Sequence, residues 1–199
     1  MTMPELTALL LFATAMSFTP GPNTTLSAAL AANHGLRHAM RFVVAVPFGW
    51  GLLLLLCAAG LGGLIEAQPA LRGLIKWGGL AYMLWLAWKL ANTAALSEAD
   101  PRRFDAGFAK GVALQFVNIK AWMNALVISA GWVTVADPLL PRLALVLPLM
   151  MAYGFASNFA YALVGSALRH WLAQGRRLLW FNRALAAVLV ATAAWMSRL

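Results

Sequence analysis

The chain has 199 residues, 62% of them hydrophobic and only 11% charged, and it carries a net charge of +9. A mean hydropathy of +0.76 excludes an ordinary soluble domain, and several stretches reach the ~20 apolar residues that cross a bilayer. The positive charge does not point to nucleic acid, because the basic residues stand singly or in pairs between apolar spans and form no patch with interleaved polar residues.

The chain therefore reads as an all-α membrane protein embedded in a lipid bilayer, since lipid leaves only helices or a closed barrel and these runs are too long for strands. Six transmembrane helices are expected at about 4–32, 42–65, 70–91, 108–133, 142–168 and 178–197, within a single domain covering 1–199. The first carries Glu5 where a cleavable signal would carry Lys or Arg, so it is expected to be retained.

The first span contains "MSFTPGPNTT", residues 16–25. Pro20 and Pro22 lack N–H groups, so the carbonyls of Met16 and Phe18 lose their helical donors. Gly21 permits a turn, and Pro22 suits the first position of a new helical segment. The amides of Asn23, Thr24 and Thr25 then lie in a first turn without intrahelical partners, a site for a carboxylate. The freed carbonyls could accept an ammonium, and a zwitterionic amino acid carries both groups. The alternative is a plain kink healed by Thr19, Thr24 or a neighbouring helix.

In the second span Cys57 stands alone between Leu and Ala, which implies a small buried hydrophobe and no disulfide. The third span follows, and the long connector Asn92–Phe108 contains "SEADPRRFD". The fourth contains "ALQFVNIKAWMNALVI", with Lys120 roughly ten residues from either end, too deep to reach the surface easily. No acidic residue lies within a span, so Lys120 must give up its proton, lean on backbone carbonyls, or meet an anionic ligand.

On a regular helix Asn118 and Lys120 differ by about 200°. Gln115, Asn118 and Trp122 then share one face, and Lys120 and Asn124 another. Either the helix loosens at Asn118–Ile119 or one face alone meets a cavity. Tyr153, Ser157, Asn158 and Tyr161 of the fifth span are candidates for a cavity lining or for interhelical hydrogen bonds. Trp132, Trp171, Trp180 and Trp195 fall near span ends, where indoles favour the interface; Trp50, Trp85 and Trp122 fall deeper.

Basic residues concentrate around loops one, three and five, which places those loops in the cytoplasm and both termini on the periplasmic side. Cut near residue 100, the chain shows a weak internal symmetry. Polar breaks at Thr19–Asn23 and Gln115–Lys120 correspond, as do Pro47 and Pro148. Three spans entering from each side make a 3+3 inverted repeat, with repeat one about 1–97 and repeat two about 105–199, a common plan in secondary transporters.

"TPGPN", "NHGLRHAMR", "GGLAYMLWLAWKL" and "GVALQFVNIKAW", in this order over nearly the whole chain, resemble the LysE/RhtB family of bacterial amino-acid exporters. "LQFVNIK" looks closest to its cysteine/O-acetylserine branch. The resemblance implies six helices, an inner-membrane location and energy-coupled efflux of amino acids or close derivatives. It assigns substrate binding to Thr19, Pro20, Gly21, Pro22, Asn23, Asn118 and Lys120. Where the family shows Asn-Pro-Lys this chain has Ile119, so a second helix break does not follow from proline chemistry.

Competing readings are weaker. A metal exporter needs carboxylates, thiolates or imidazoles, and the spans offer only Cys57, with His34 and His38 in a basic loop. An enzyme needs paired acids, a nucleophile triad or a metal triad, and none can be placed at one depth. A membrane assembly protein needs neither a polar break nor a buried lysine. No cofactor is expected; Gly62–Gly63 and Gly78–Gly79 permit close helix contact, within one chain or in a homodimer.

Overall fold

A computed structural model describes residues 1–93, 107–135 and 138–198, and every regular element among them is helical. The predicted first span is two helices, α1 (Met3–Phe18) and α2 (Pro22–His34). Then come α3 (Leu36–Leu56), α4 (Gly62–Ala67) and α5 (Pro69–Ala91), and the fourth span is again two helices, α6 (Phe108–Val117) and α7 (Ile119–Ile128). α8 (Leu139–Ala167), the short α9 (Arg169–Leu172) and α10 (Arg177–Ser197) complete the chain. Most of the predicted long connector lies outside the described residues.

Among the described residues three helical stretches are long and apolar enough to cross a membrane, Leu36–Ile65, Leu139–Ala167 and Arg177–Ser197. A fourth is obtained if Phe108–Val117 and Ile119–Val133, bent by 72°, form one broken span. α1, at 16 residues, is apolar but shorter than a bilayer is thick. α5 has 23 residues but includes Arg72, Lys76 and Lys89.

The predicted first loop is nearly absent. α2 ends at Gly35, whose φ of 86° favours glycine, and α3 begins at the next residue, so Arg37 and Arg41 sit on its first turns. Pro47 and Pro148 are carried inside continuous helices α3 and α8 and break neither. Membrane helices tolerate such prolines where neighbours satisfy the freed carbonyls. α3 instead departs from regular geometry further on, in a wide π-turn at Cys57–Leu61 where Gly60 takes φ 105°.

α2 is the central element. Apart from Asn23 and His34 every residue in it is buried, although Thr24, Thr25, Ser27 and Asn33 make it the most polar of the long helices. It packs most extensively on α8, then on α3 and α10. Contact with α8 is close enough that a Cβ on Gly165 would lie 2.2 Å from the Ala28 carbonyl oxygen. At its far end Asn33 and Asn182 exchange amide hydrogen bonds of 3.2 and 3.4 Å, and Asn182 also donates to the Thr93 carbonyl at 3.0 Å. This gathers the ends of α2 and α5 with the start of α10.

At the opposite end a capping box of Thr2 and Glu5 starts α1. The Glu5 carbonyl accepts from the Trp132 indole at 2.9 Å, and its carboxylate lies 3.5 Å from the Arg142 guanidinium. The Asn33–Asn182–Thr93 contacts and the Glu5–Trp132–Arg142 contacts thus gather two separate sets of helix ends. Two apolar clusters fill the interior. One is built mainly from α2, α3, α5 and α10, the other from α1, α3, α7 and α8.

Candidate functional site

Between the two clusters lies a polar cavity of about 60 Å³, which is room for roughly four waters. Its walls come from both breaks, with Gly21, Pro22, Asn23 and Thr24 from the first and Asn118, Lys120 and Asn124 from the second. Pro47 and Trp50 of α3, and Met150, Ser157 and Asn158 of α8, close the remaining sides.

The first break leaves two helix ends facing it. On the α2 side Gly21 donates its amide to Thr24 Oγ1 at 3.0 Å, and its carbonyl accepts the Thr25 amide at 2.9 Å. The amides of Asn23 and Thr24 have no intrahelical acceptor there, so they and the positive end of the helix dipole face the break. On the α1 side the terminal carbonyls are claimed from other helices. Tyr161 Oη donates to the Phe18 carbonyl at 3.0 Å, and Lys120 Nζ donates to the Thr19 carbonyl at 2.6 Å. A cation at the carbonyl end of a helix is the arrangement its dipole favours.

Of the fates open to Lys120, the structure displays the backbone carbonyl. Its side chain passes so close to Gly21 that a Cβ there would lie 3.0 Å from Lys120 Cδ and 3.3 Å from Nζ. Gly21 therefore clears the lysine's path; its backbone is extended (φ −170°, ψ −174°), which any residue adopts, so the turn expected of it is not what calls for glycine here. The two breaks are joined through one ammonium.

The second break forms without proline. Asn118 takes extended backbone (φ −94°, ψ 102°), and its side-chain Oδ1 accepts the Lys120 amide at 3.1 Å, an N-cap for α7. Of the two local alternatives, loosening at Asn118–Ile119 is what occurs. On the α6 side the Trp122 indole donates to the Phe116 carbonyl at 2.9 Å. α5 approaches this break closely: a Cβ on Gly79 would meet the Val117 carbonyl at 2.6 Å and Ile119 Cγ1 at 2.7 Å.

An amide network couples the breaks. Asn23 Nδ2 donates to Gln115 Oε1 at 2.8 Å, Gln115 Nε2 returns a bond to Asn23 Oδ1 at 3.1 Å, and Asn118 Nδ2 reaches the same oxygen at 3.3 Å. Ser27 donates to Asn158 Oδ1 at 2.9 Å, which ties α2 to α8 beside the cavity. Replacing Asn118 by Ala removes the α7 cap and one bond to Asn23. The expected result is a loss of about 1 kcal/mol in stability, read as a lower thermal unfolding midpoint of the purified protein, with Asn118→Ser restoring most of it because serine also caps.

The predicted residues thus divide. Gly21, Pro22, Asn23, Thr24, Asn118, Lys120 and Asn158 line the cavity, while Thr19 contributes its carbonyl to Lys120. Pro20 shapes the turn without lining it. Gln115 is fully buried and holds Asn23; Trp122 and Tyr161 serve the carbonyls of the two breaks; Tyr153 accepts from Thr14 at 3.4 Å, against α1. Trp50 meets the cavity, and so does Asn124, which the sequence places on the same face as Lys120; Pro47 and Met150 carry no such signal.

A cavity walled by two interrupted helices inside an apolar bundle is a plan that membrane transporters use. The chain belongs to the LysE family: the family described as LysE type translocator matches residues 14–197. Among curated proteins it is 35% identical over 178 residues to the "Cysteine/O-acetylserine efflux protein" of Salmonella typhimurium (strain LT2), covering 87% of this chain and 88% of that protein. Proteins of the same name are 33% identical in Escherichia coli (strain K12), covering 96% of each chain, and 32% identical in Klebsiella pneumoniae, covering 96% and 95%. No solved structure matches.

Proposed function

We propose that this protein exports a small amino acid or close derivative, cysteine and O-acetylserine foremost, across the bacterial inner membrane, driven by the proton gradient and working by alternating access. The observation that carries this reading is the meeting of the Lys120 ammonium and the opened backbone around Gly21 at one cavity. A substrate carboxylate would be held by the amides of Asn23 and Thr24, and the substrate ammonium would take the Thr19 carbonyl once Lys120 has given up its proton and left it. Protonated Lys120 would reclaim that carbonyl only after the substrate has gone, so proton and substrate cross in opposite directions. Asn118 would set the direction of Lys120, and Asn23 would link both breaks.

The relatives' names support the substrate class, and the cavity's size supports a small solute. It admits little as it stands, so α2 or α7 must shift to load it, which alternating access provides. Lys120 is the ionisable side chain at the site, which makes it the proton carrier in this scheme.

Six spans then follow from pairing α1 with α2 and α6 with α7, and counting α3, α5, α8 and α10 singly. They form two inverted repeats, about 1–97 and 105–199, with both termini periplasmic; a homodimer is compatible with this plan. Proteoliposomes loaded with labelled cysteine, O-acetylserine and other amino acids test the reading under an imposed pH gradient. Gradient-dependent release of the first two is expected, and release of no amino acid would overturn it.

A further inference from the structure

A second, larger cleft of about 720 Å³ lies away from the polar cavity, between α5 and α7. Ile65, Ile75, Ile119, Trp122, Met123, Leu126 and Met196 make it mainly apolar. Arg72 and Lys76, one helical turn apart on α5, bring two cations to it. Neither makes an ion pair or hydrogen bond among the described residues; Lys76 Nζ lies 5.6 Å from the centroid of the Trp77 ring. That indole is 64% exposed. The chemistry is that of an amphiphile with an anionic head and an apolar body.

We propose that this cleft is a binding site for one acidic phospholipid, its phosphate between Arg72 and Lys76 and an acyl chain along Ile75, Met123 and Leu126. The charge pattern argues against a second copy of the chain: a two-fold contact through this face would set like charges against each other. A water-soluble anion would leave the apolar walls uncovered. The bilayer supplies the fitting partner, and a basic residue near an anionic lipid surface contributes about 1 kcal/mol.

The cleft also has a connection to the polar site. Ile119 and Trp122 on its wall flank Lys120 in sequence, and Trp122 holds the Phe116 carbonyl at the second break. A chain seated there braces α7 against α5.

Gly73 offers a separate handle. It lines the cleft between the two cations, and a Cβ on it would meet nothing within 4 Å, so Gly73→Phe sets an aromatic ring where the phosphate would sit while leaving both cations in place. The test uses the full chain in an uncharged detergent, with native mass spectrometry for bound lipid and thermal unfolding for stability. The probes are phosphatidylglycerol, phosphatidylcholine and inorganic phosphate.

The native protein should retain one phosphatidylglycerol and unfold at a higher temperature with it, and neither other probe should do this. The double variant Arg72→Gln/Lys76→Gln should bind about thirtyfold more weakly, as two such charges imply. Gly73→Phe should lose the lipid although its charges remain. An equal response to phosphate alone, or undiminished lipid retention by Gly73→Phe, would overturn the site. So would a change of oligomeric state in the variants with no preference for the acidic lipid, which would assign the cleft to a second copy. Binding is read without transport, so failure here leaves the export reading intact, and failure of export leaves this site intact.

Discussion

Lys120→Met should abolish export while leaving the protein folded. Methionine keeps an unbranched apolar stem of similar length, so it can follow the path beside Gly21 without leaving a large void. What it removes is the ammonium that donates to the Thr19 carbonyl at 2.6 Å. The fold does not rest on that bond alone. Tyr161 still claims the Phe18 carbonyl, and Asn23, Gln115 and Asn118 still join the breaks.

The transport step loses its proton carrier, the group through which the gradient acts on the Thr19 carbonyl. Efflux from loaded proteoliposomes should fall to the empty-liposome rate, while elution volume and unfolding midpoint stay near those of the native protein. Lys120→Arg should restore little, because its planar head must pass the same narrow point at Gly21. Full export by Lys120→Met would remove Lys120 from the mechanism.

Much of this arrangement is legible in the residues. Pro20 and Pro22 forbid the helical bonds they interrupt, so a break between α1 and α2 follows from covalent chemistry alone. The depth of Lys120 in its apolar run, with no acid nearby, forces it towards some polar group inside the bundle. Which group it meets depends on how two distant segments pack, and no periodicity carries that information.

The second break shows the opposite case. Ile119 is a regular helical residue, and nothing in its own chemistry marks a boundary. The break sits at Asn118 because a side-chain oxygen one residue earlier caps α7 and because Gly79 lets α5 approach the interrupted turn. The first is a short-range signal, readable as an N-cap pattern; the second is a contact across forty residues and is not. Gln115 and Trp122 illustrate the same limit. Both share the sequence-predicted face of Asn118, and both spend their polar groups on the scaffold, Gln115 on Asn23 and Trp122 on a freed carbonyl. A polar side chain in a span announces a need for a partner but not whether that partner is a ligand or a neighbouring helix.

Gly165→Ala should be among the most damaging small substitutions, because α2 has nowhere to retreat. The added Cβ would lie 2.2 Å from the Ala28 carbonyl oxygen, 2.9 Å from its carbon and 3.1 Å from its Cα. All three are backbone atoms, so no side chain can rotate away and the two helices must separate. Overpacking of this kind typically costs about 1–3 kcal/mol. Its effect is not confined to stability, since α2 presents the Asn23 and Thr24 amides to the cavity. The Ser27–Asn158 bond lies along the same α2–α8 contact.

Gly78→Ala is the control. It lies on α5 with nothing within 4 Å of its added Cβ, so it should be neutral or gain up to about 1 kcal/mol from helix propensity. Cys57, the only cysteine and buried, supplies the readout, because a thiol-reactive dye labels it as the protein unfolds. Gly165→Ala should label at a lower temperature and export more slowly, and Gly78→Ala should do neither. Equal labelling curves for Gly165→Ala and the native protein would mean that α2 and α8 do not meet at Ala28, and the position of α2 at the cavity would have to be redrawn.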